Sequence, residues 1–282
     1  MFSIGVSTPK SIDEEMFKLY KEAGIQQMEV SVDKGLSEAL DYDKLQEWSG
    51  KYGVELYSFH LPFWPFDQID ISKPSIAEKS VEYFKGYIDK GTKIGIDKYI
   101  IHPSGEPIDE GERGVRMETA KRSLSILAEY AYTKGATICV ENLPRTCLGR
   151  DSKDILELIS ANDKLKVCFD TNHLLGENPI DFIKAIGDKI VTMHVSDYDF
   201  KNERHWLPGE GLLDWQSVLA AIKKIGYKGS WLYEINLEAP WTINRPRDLT
   251  YQDFYNNAME LFEGKELTKI STPKEGLKAW NE

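Results

Sequence analysis

Short runs rich in Val, Ile, Tyr and Phe alternate along the chain with longer stretches whose apolar residues recur every three or four positions. The short runs predict strands at 2–7, 26–32, 54–61, 98–102, 136–141, 165–170, 190–194 and 230–236. The longer stretches predict helices at 42–52, 75–94, 116–133, 152–160, 179–186, 215–225 and 251–262, after a first helix marked by Met16, Leu19, Tyr20 and Ala23. Ser11 and Glu14 have the spacing of a capping box in front of that helix. Gly24, Gly53, Gly95, Gly135, Gly187 and Gly226 each fall between a helix and the next strand, where glycine ends a helix. Unbroken alternation of strand and helix calls for a parallel sheet covered by helices, and eight such units suit closure into a (β/α)8 barrel, the TIM barrel, better than an open sheet. The α/β fold is expected to occupy residues 1–282 as a single domain. Its polar tail, from about 264, is expected to be a surface tail, with packing across the barrel wall or a contact between copies in a homo-oligomer as the alternatives.

Composition narrows the setting. No segment approaches the roughly 20 consecutive apolar residues that cross a bilayer, so no membrane partner is expected. The opening MFSIGVSTPKS lacks a basic start, an apolar stretch and a small-residue cleavage site, and no secretory signal is expected. Cys139, Cys147 and Cys168 are odd in number, and two of them fall inside predicted strands, which fits buried free thiols in a reducing cytoplasm. Thirty-five basic against 46 acidic residues leave a net charge of −11. Such a surface repels polyanions unless a local basic groove compensates, which argues against nucleic acid and for small neutral substrates.

In a barrel of this kind every strand opens its C-terminal end onto one face, so residues that end different strands become neighbours. Those endings are His60, His102, Glu141, Asp170 with His173 beyond it, His194 with Asp197 beyond it, and Glu234; His205 follows in the loop after the seventh strand. All five histidines therefore fall on one side. Glu141, Asp170, His194 and Glu234 would crowd one half-buried mouth, an arrangement that is electrostatically costly without a cation. A divalent metal is the expected cofactor. Three carboxylates and one imidazole make an oxygen-rich site, which places Mn²⁺, Mg²⁺ or Co²⁺ ahead of Zn²⁺.

ENLP at 141–144, FDTNH at 169–173, MHVSD at 193–197, HWLPGEGLLDW at 205–215 and YEIN at 233–236, taken in order and spacing, resemble the xylose-isomerase-like TIM barrels of the sugar phosphate isomerase/epimerase family. The resemblance runs over nearly the whole chain, from about 2 to 262. By analogy with the ketose 3-epimerases of that family, it implies one metal held by Glu141, Asp170, His194 and Glu234, with Glu141 and Glu234 also serving as acid and base, and His173 contacting a substrate oxygen. The chemistry is coherent on its own terms. Polarising a ketose carbonyl and its adjacent hydroxyl acidifies the neighbouring C–H and stabilises an enediolate, and a carboxylate on each side can remove a proton from one face and return it from the other. The ketose epimerases usually carry a substrate arginine six residues after the metal histidine; here that position is Phe200, with Arg204 four residues later as the candidate in its place. Phe63, Trp64, Phe66, Trp206 and Trp241, in the loops after strands three, seven and eight, are candidates to face a sugar ring or to form a self-packed lid, and His60, His102 and His205 are further candidates for substrate contact. Despite Arg245 and Arg247 nearby, these loops lack a glycine-rich anion cradle, which points to an unphosphorylated sugar or polyol.

Two other reactions stay open. The superfamily also contains endonuclease IV, a three-zinc enzyme acting on DNA, and His60, His102, Glu141, Asp170, His173, His194, Glu203, His205 and Glu234 match its nine ligand positions, with Glu203 in place of an aspartate. The acidic loops SVDKGLSEALDYD and SDYDFKNE argue against the basic track that phosphates need. The other is dehydration of a cyclic polyol by an inosose dehydratase-like lyase, with the same metal and proton abstraction.

Overall fold

The computed structural model describes residues 1–8 and 11–282. Strands β1 (Ile4–Ser7), β2 (Gln27–Ser31), β3 (Glu55–His60), β4 (Lys98–Ile101), β5 (Thr137–Glu141), β6 (Lys166–Asp170), β7 (Ile190–Val195) and β8 (Trp231–Tyr233) pair in parallel and in sequence order, and β8 closes on β1. Helices α1 (Glu14–Ala23), α2 (Lys34–Glu38), α3 (Tyr42–Tyr52), α4 (Ala77–Gly91), α5 (Glu110–Thr133), α6 (Ser152–Ile159), α7 (Pro179–Ile186), α8 (Trp215–Lys224) and α9 (Tyr251–Phe262) connect the strands. Phe17, Leu45, Phe84, Leu127, Phe182 and Phe254 are buried helix residues that seal the outside of the barrel. All six glycines between helices and strands have positive φ; at Gly53 (φ 69°) the backbone N–H closes the last turn of α3 on the carbonyl of Ser49 at 2.8 Å.

The differences from the expected elements are local. The cap of α1 is Asp13, whose carboxylate accepts the Met16 N–H at 2.9 Å; the helix starts at Glu14, so the acceptor three residues before Met16 is Asp13 and not Ser11. Helix α5 begins six residues before the predicted 116, because EGERGV is almost wholly polar and carries no apolar period. Helix α2 is too short, and too interrupted by Gly35, to leave a periodic signal. The tail forms β10 (Thr272–Pro273), which pairs antiparallel with β9 (Ile243–Asn244), and the Trp280 N–H donates to the Lys201 carbonyl at 3.1 Å. It thus lies over the loops that follow β7 and β8.

Asp197, expected near the metal ligands, instead organises the loop after β7. Its buried carboxylate accepts the N–H groups of Tyr198 (2.8 Å), Gly209 (2.8 Å) and Leu213 (3.2 Å) and the indole N–H of Trp215 (2.8 Å). Replacing it with alanine leaves several donors unpaired in a closed space. Asp197→Ala is therefore expected to cost roughly 3 kcal/mol or more, read as a lower midpoint in urea unfolding.

Candidate metal centre and cleft

The site is built where β3 to β8 end. Glu141, last residue of β5, is fully buried and turns its two oxygens to different neighbours. Oε2 lies 3.0 Å from His60 Nε2 and 3.2 Å from His102 Nε2, while Oε1 lies 2.9 Å from His194 Nδ1. The same His194 nitrogen is 3.7 Å from Asp170 Oδ2 and 3.5 Å from Glu234 Oε2. Glu141, Asp170, His194 and Glu234 each offer a ligand atom, all four within 4.8 Å of one another. Three further groups meet the same limit: His60, His102 and Glu141; Glu141, Cys168 and His194; and His173, Glu203 and His205. The structure thus gathers all nine expected metal-ligating positions at one mouth.

The donors are arranged for a cation. Asp170 Oδ2 and Glu234 Oε2 are buried with no hydrogen-bond partner, although buried carboxylate oxygens ordinarily have one. The histidines supply a second observation. A carbonyl can only accept, so the Nδ1 of His60 must donate to Leu61 O (3.0 Å), that of His173 to Asn142 O (2.9 Å) and that of His205 to Glu234 O (3.1 Å). Each neutral ring is left with its Nε2 lone pair free, and that of His60 or His173 then faces a carboxylate oxygen 3.0 Å away. Two acceptors so placed need a cation or a proton between them. His205 reaches its carbonyl from a left-handed backbone (φ 50°), a conformation that costs about 1–3 kcal/mol in a non-glycine residue and tends to occur at functional sites.

Electrostatics separates the two glutamates. Burial raises the pKa of Glu141, but the imidazoles of His194, His102 and His60 outweigh it and hold the carboxyl well below the usual range. For Glu234, burial together with the neighbouring Asp170 and Glu141 charges pushes the carboxyl up to about 7, against the pull of His194. Burial disfavours charge on His173 as well, yet Asp170, Glu203 and Glu141 carry it up to about 10.

The cleft above has two chambers that share Phe63, His205 and Glu234. One, of about 160 Å³, is lined by His102, Arg145, His173 and Glu203 among others; the second, of about 250 Å³, by Ser7, Thr8, Ser31 and Asn236. Phe63 stacks on His102 with ring centroids 4.2 Å apart. Several expected contacts lie elsewhere. Arg204 is buried, bound to Asp199 (3.0 Å) and to the tail carbonyl of Lys278 (2.8 Å), and does not line the cleft. Trp206 is buried and donates to Thr242 (2.9 Å), Trp64 and Trp241 are exposed outside both chambers, and Phe200 packs on Tyr198. Arg145, in contrast, was not singled out from sequence; it borders the cleft and pairs with Glu106 and Glu203.

Sequence reasoning also missed Glu29 and Cys168. Glu29 is wholly buried on β2, where the pairing register with β3 shifts at Met28/Glu29, and its sequence signal was an acid set between Met28 and Val30 in a predicted strand. Cys168 lies next to Glu141 and His194, and burial keeps its thiol protonated by raising its pKa well above normal.

Known proteins share this architecture. The profile of a family described as xylose isomerase-like TIM barrel matches residues 17–253. An uncharacterized protein of Methanocaldococcus jannaschii is 27% identical over 194 residues, covering 66% of this chain and 66% of its own length. A probable endonuclease 4 of Thermoplasma acidophilum is 25% identical over 182 residues, covering 58% of this chain and 61% of its own. The chain thus spans slightly less than two thirds of either relative. Among solved structures, a D-tagatose 3-epimerase-like protein has a TM-score of 0.78 at 23% identity, covering 93% of this chain and 97% of that one, a likeness of fold.

Proposed function

The chain belongs to the xylose isomerase-like TIM barrel family, and on that premise we propose that it is a divalent-metal-dependent isomerase or epimerase of a small, unphosphorylated sugar or polyol. The observation that carries this reading is the convergence of Glu141, Asp170, His194 and Glu234 with two buried carboxylate oxygens left without partners. These four residues would hold Mn²⁺, Mg²⁺ or Co²⁺ ahead of Zn²⁺. Bound there, the ion supplies polarisation of a substrate carbonyl and its adjacent hydroxyl, which acidifies the neighbouring C–H. Glu141 would take the proton and Glu234 would return one to the same carbon or the next, the two carboxylates serving as base and acid from either side of the substrate. His173 contacts a substrate oxygen from the chamber it lines with His102, His205 and Phe63. The three free, buried cysteines suit a reducing cytoplasm, and no helix of the described residues is long and apolar enough to cross a membrane.

A second reading, phosphodiester hydrolysis at three metals, is favoured by the group of His60, His102 and Glu141, by that of His173, Glu203 and His205, and by the endonuclease 4 relative. Charge weighs against it. Arg145, which borders the cleft, is paired with Glu203 and Glu106, and the chain carries −11 overall. Elemental analysis of the purified protein is expected to give one divalent ion per chain, and incubation with a panel of ketoses in D₂O is expected to place deuterium on carbon. Three ions per chain, cleavage of an abasic-site oligonucleotide and no exchange into any ketose would replace this reading with the second. Exchange accompanied by loss of water from a cyclic polyol would make it a lyase.

A further inference from the structure

His194 differs from His60, His173 and His205 in what lies behind its ring. Those three rest on backbone carbonyls, whereas His194 Nε2 faces the carboxylate of Glu29 at 3.0 Å, from across the barrel interior. The contact is close in distance but bent away from good hydrogen-bond geometry. Glu29 and His194 are both fully buried. The remaining partners of Glu29 are two hydroxyls: Ser7 on β1 donates to Oε1 at 3.0 Å and Ser58 on β3 to Oε2 at 2.7 Å. Among the described residues no Lys or Arg pairs with it; the imidazole in contact with it is that of His194, and His60 acts on it only through longer-range charge. A buried carboxylate is costly to keep, and two hydroxyls offset only part of that cost. Neutral leucine or glutamine would fill the same space without a charge, so the carboxylate calls for an explanation in terms of what it does to His194.

We propose that Glu29 is a positioning residue for the metal centre: it holds the proton of His194 on Nε2 and so leaves the Nδ1 lone pair facing Glu141, Asp170 and Glu234. The inference rests on the metal-dependent reading above and extends it below the ligands. A carboxylate behind a ligating imidazole fixes its tautomer and rotation and raises its basicity, and losing such a partner typically weakens metal binding 10–100-fold. The contacts fit this role. Ser7 and Ser58, on the strands to either side, orient the carboxylate, and Glu29 reaches from β2 to the ring on β7. The register shift at Met28/Glu29 aims the side chain.

The test is a titration of metal-free wild type and Glu29→Gln with Co²⁺ alone, which needs no substrate. The variant keeps the shape of the side chain and removes its charge. Its Co²⁺ dissociation constant is expected to rise about 10–100-fold, and its visible absorption bands to shift, with an unchanged circular dichroism spectrum. A folded variant with wild-type affinity and bands overturns the proposal. Should Glu29→Gln fail to fold, ¹⁵N-histidine spectra of the Zn²⁺-loaded wild type decide: a proton on His194 Nε2 with Nδ1 towards the ion supports the proposal, and a proton on Nδ1 overturns it. Wild type that binds no divalent ion overturns the metal reading itself and this inference with it. Metal binding that weakens as expected in a protein inactive on every sugar leaves Glu29 in place and removes only the proposed reaction.

Discussion

Glu141→Gln is expected to leave a folded protein that no longer retains metal through gel filtration and converts its sugar at least about 10³-fold more slowly. The size of the effect follows from the number of roles that meet at this side chain. Its Oε1 belongs to the set with Asp170, His194 and Glu234, and its Oε2 faces His60 and His102. An amide keeps the volume but offers only one acceptor, and its NH₂ group would point donors at a position meant for a cation or at an imidazole. Elemental analysis of the variant and ketose turnover read the two losses separately. A Glu141→Gln protein with a full complement of metal would show that the ion sits elsewhere.

How far the site could be read in advance depends on what each residue's role requires. Asp170, His194 and Glu234 were legible because a (β/α)8 barrel converts strand endings into neighbours whatever their separation, so the switch from apolar run to acid or imidazole was itself the signal. Glu203 and His205 were legible only through a motif, since no periodicity says where a loop returns; in the structure His205, a left-handed residue, lies 4.0 Å from Glu203 Oε1 and 3.1 Å from the Glu234 carbonyl. Asp197 shows the limit of the strand-end argument. It follows His194 by three residues, as His173 follows Asp170, yet one carboxylate is taken up by four N–H donors of its own loop and the other ring faces Glu203. Arg204 shows the same limit for charge, because Asp199 and a tail carbonyl about 70 residues away in sequence hold its guanidinium. Glu29 lies one layer further down, and no motif names a residue whose only task is to face the back of another.

Glu234→Gln is expected to lower turnover by roughly 10²–10⁴-fold while leaving the fold intact, the range over which a positioned acid or base acts. The accompanying pH effect distinguishes this residue from Glu141. Burial beside Asp170 and Glu141 raises the Glu234 carboxyl to about 7. Between the ordinary carboxylate value of 4.5 and about 7, the folded metal-free chain therefore keeps a proton that the unfolded chain has released. The sign is fixed by that difference: this group stabilises the metal-free fold relatively more at low pH, and its contribution is lost as pH rises from about 4.5 to 7. Metal binding runs the other way. Burial disfavours charge on His194, but the surrounding Glu29, Glu234 and Glu141 carboxylates hold its pKa well above the usual value, so it must release a proton to bind at any pH near neutrality. Below about 7, Glu234 must release a second, so the affinity of the wild type should steepen by a further factor of about ten per pH unit on the acid side. In Glu234→Gln that extra steepening disappears, because the amide has no proton to lose, while the part due to His194 stays. Dissociation constants for Mn²⁺ between pH 5.5 and 8.5 measure both slopes, and the same steepening in the variant would assign the second proton to another group. Unchanged ketose conversion in Glu234→Gln would take the acid role away from this residue altogether.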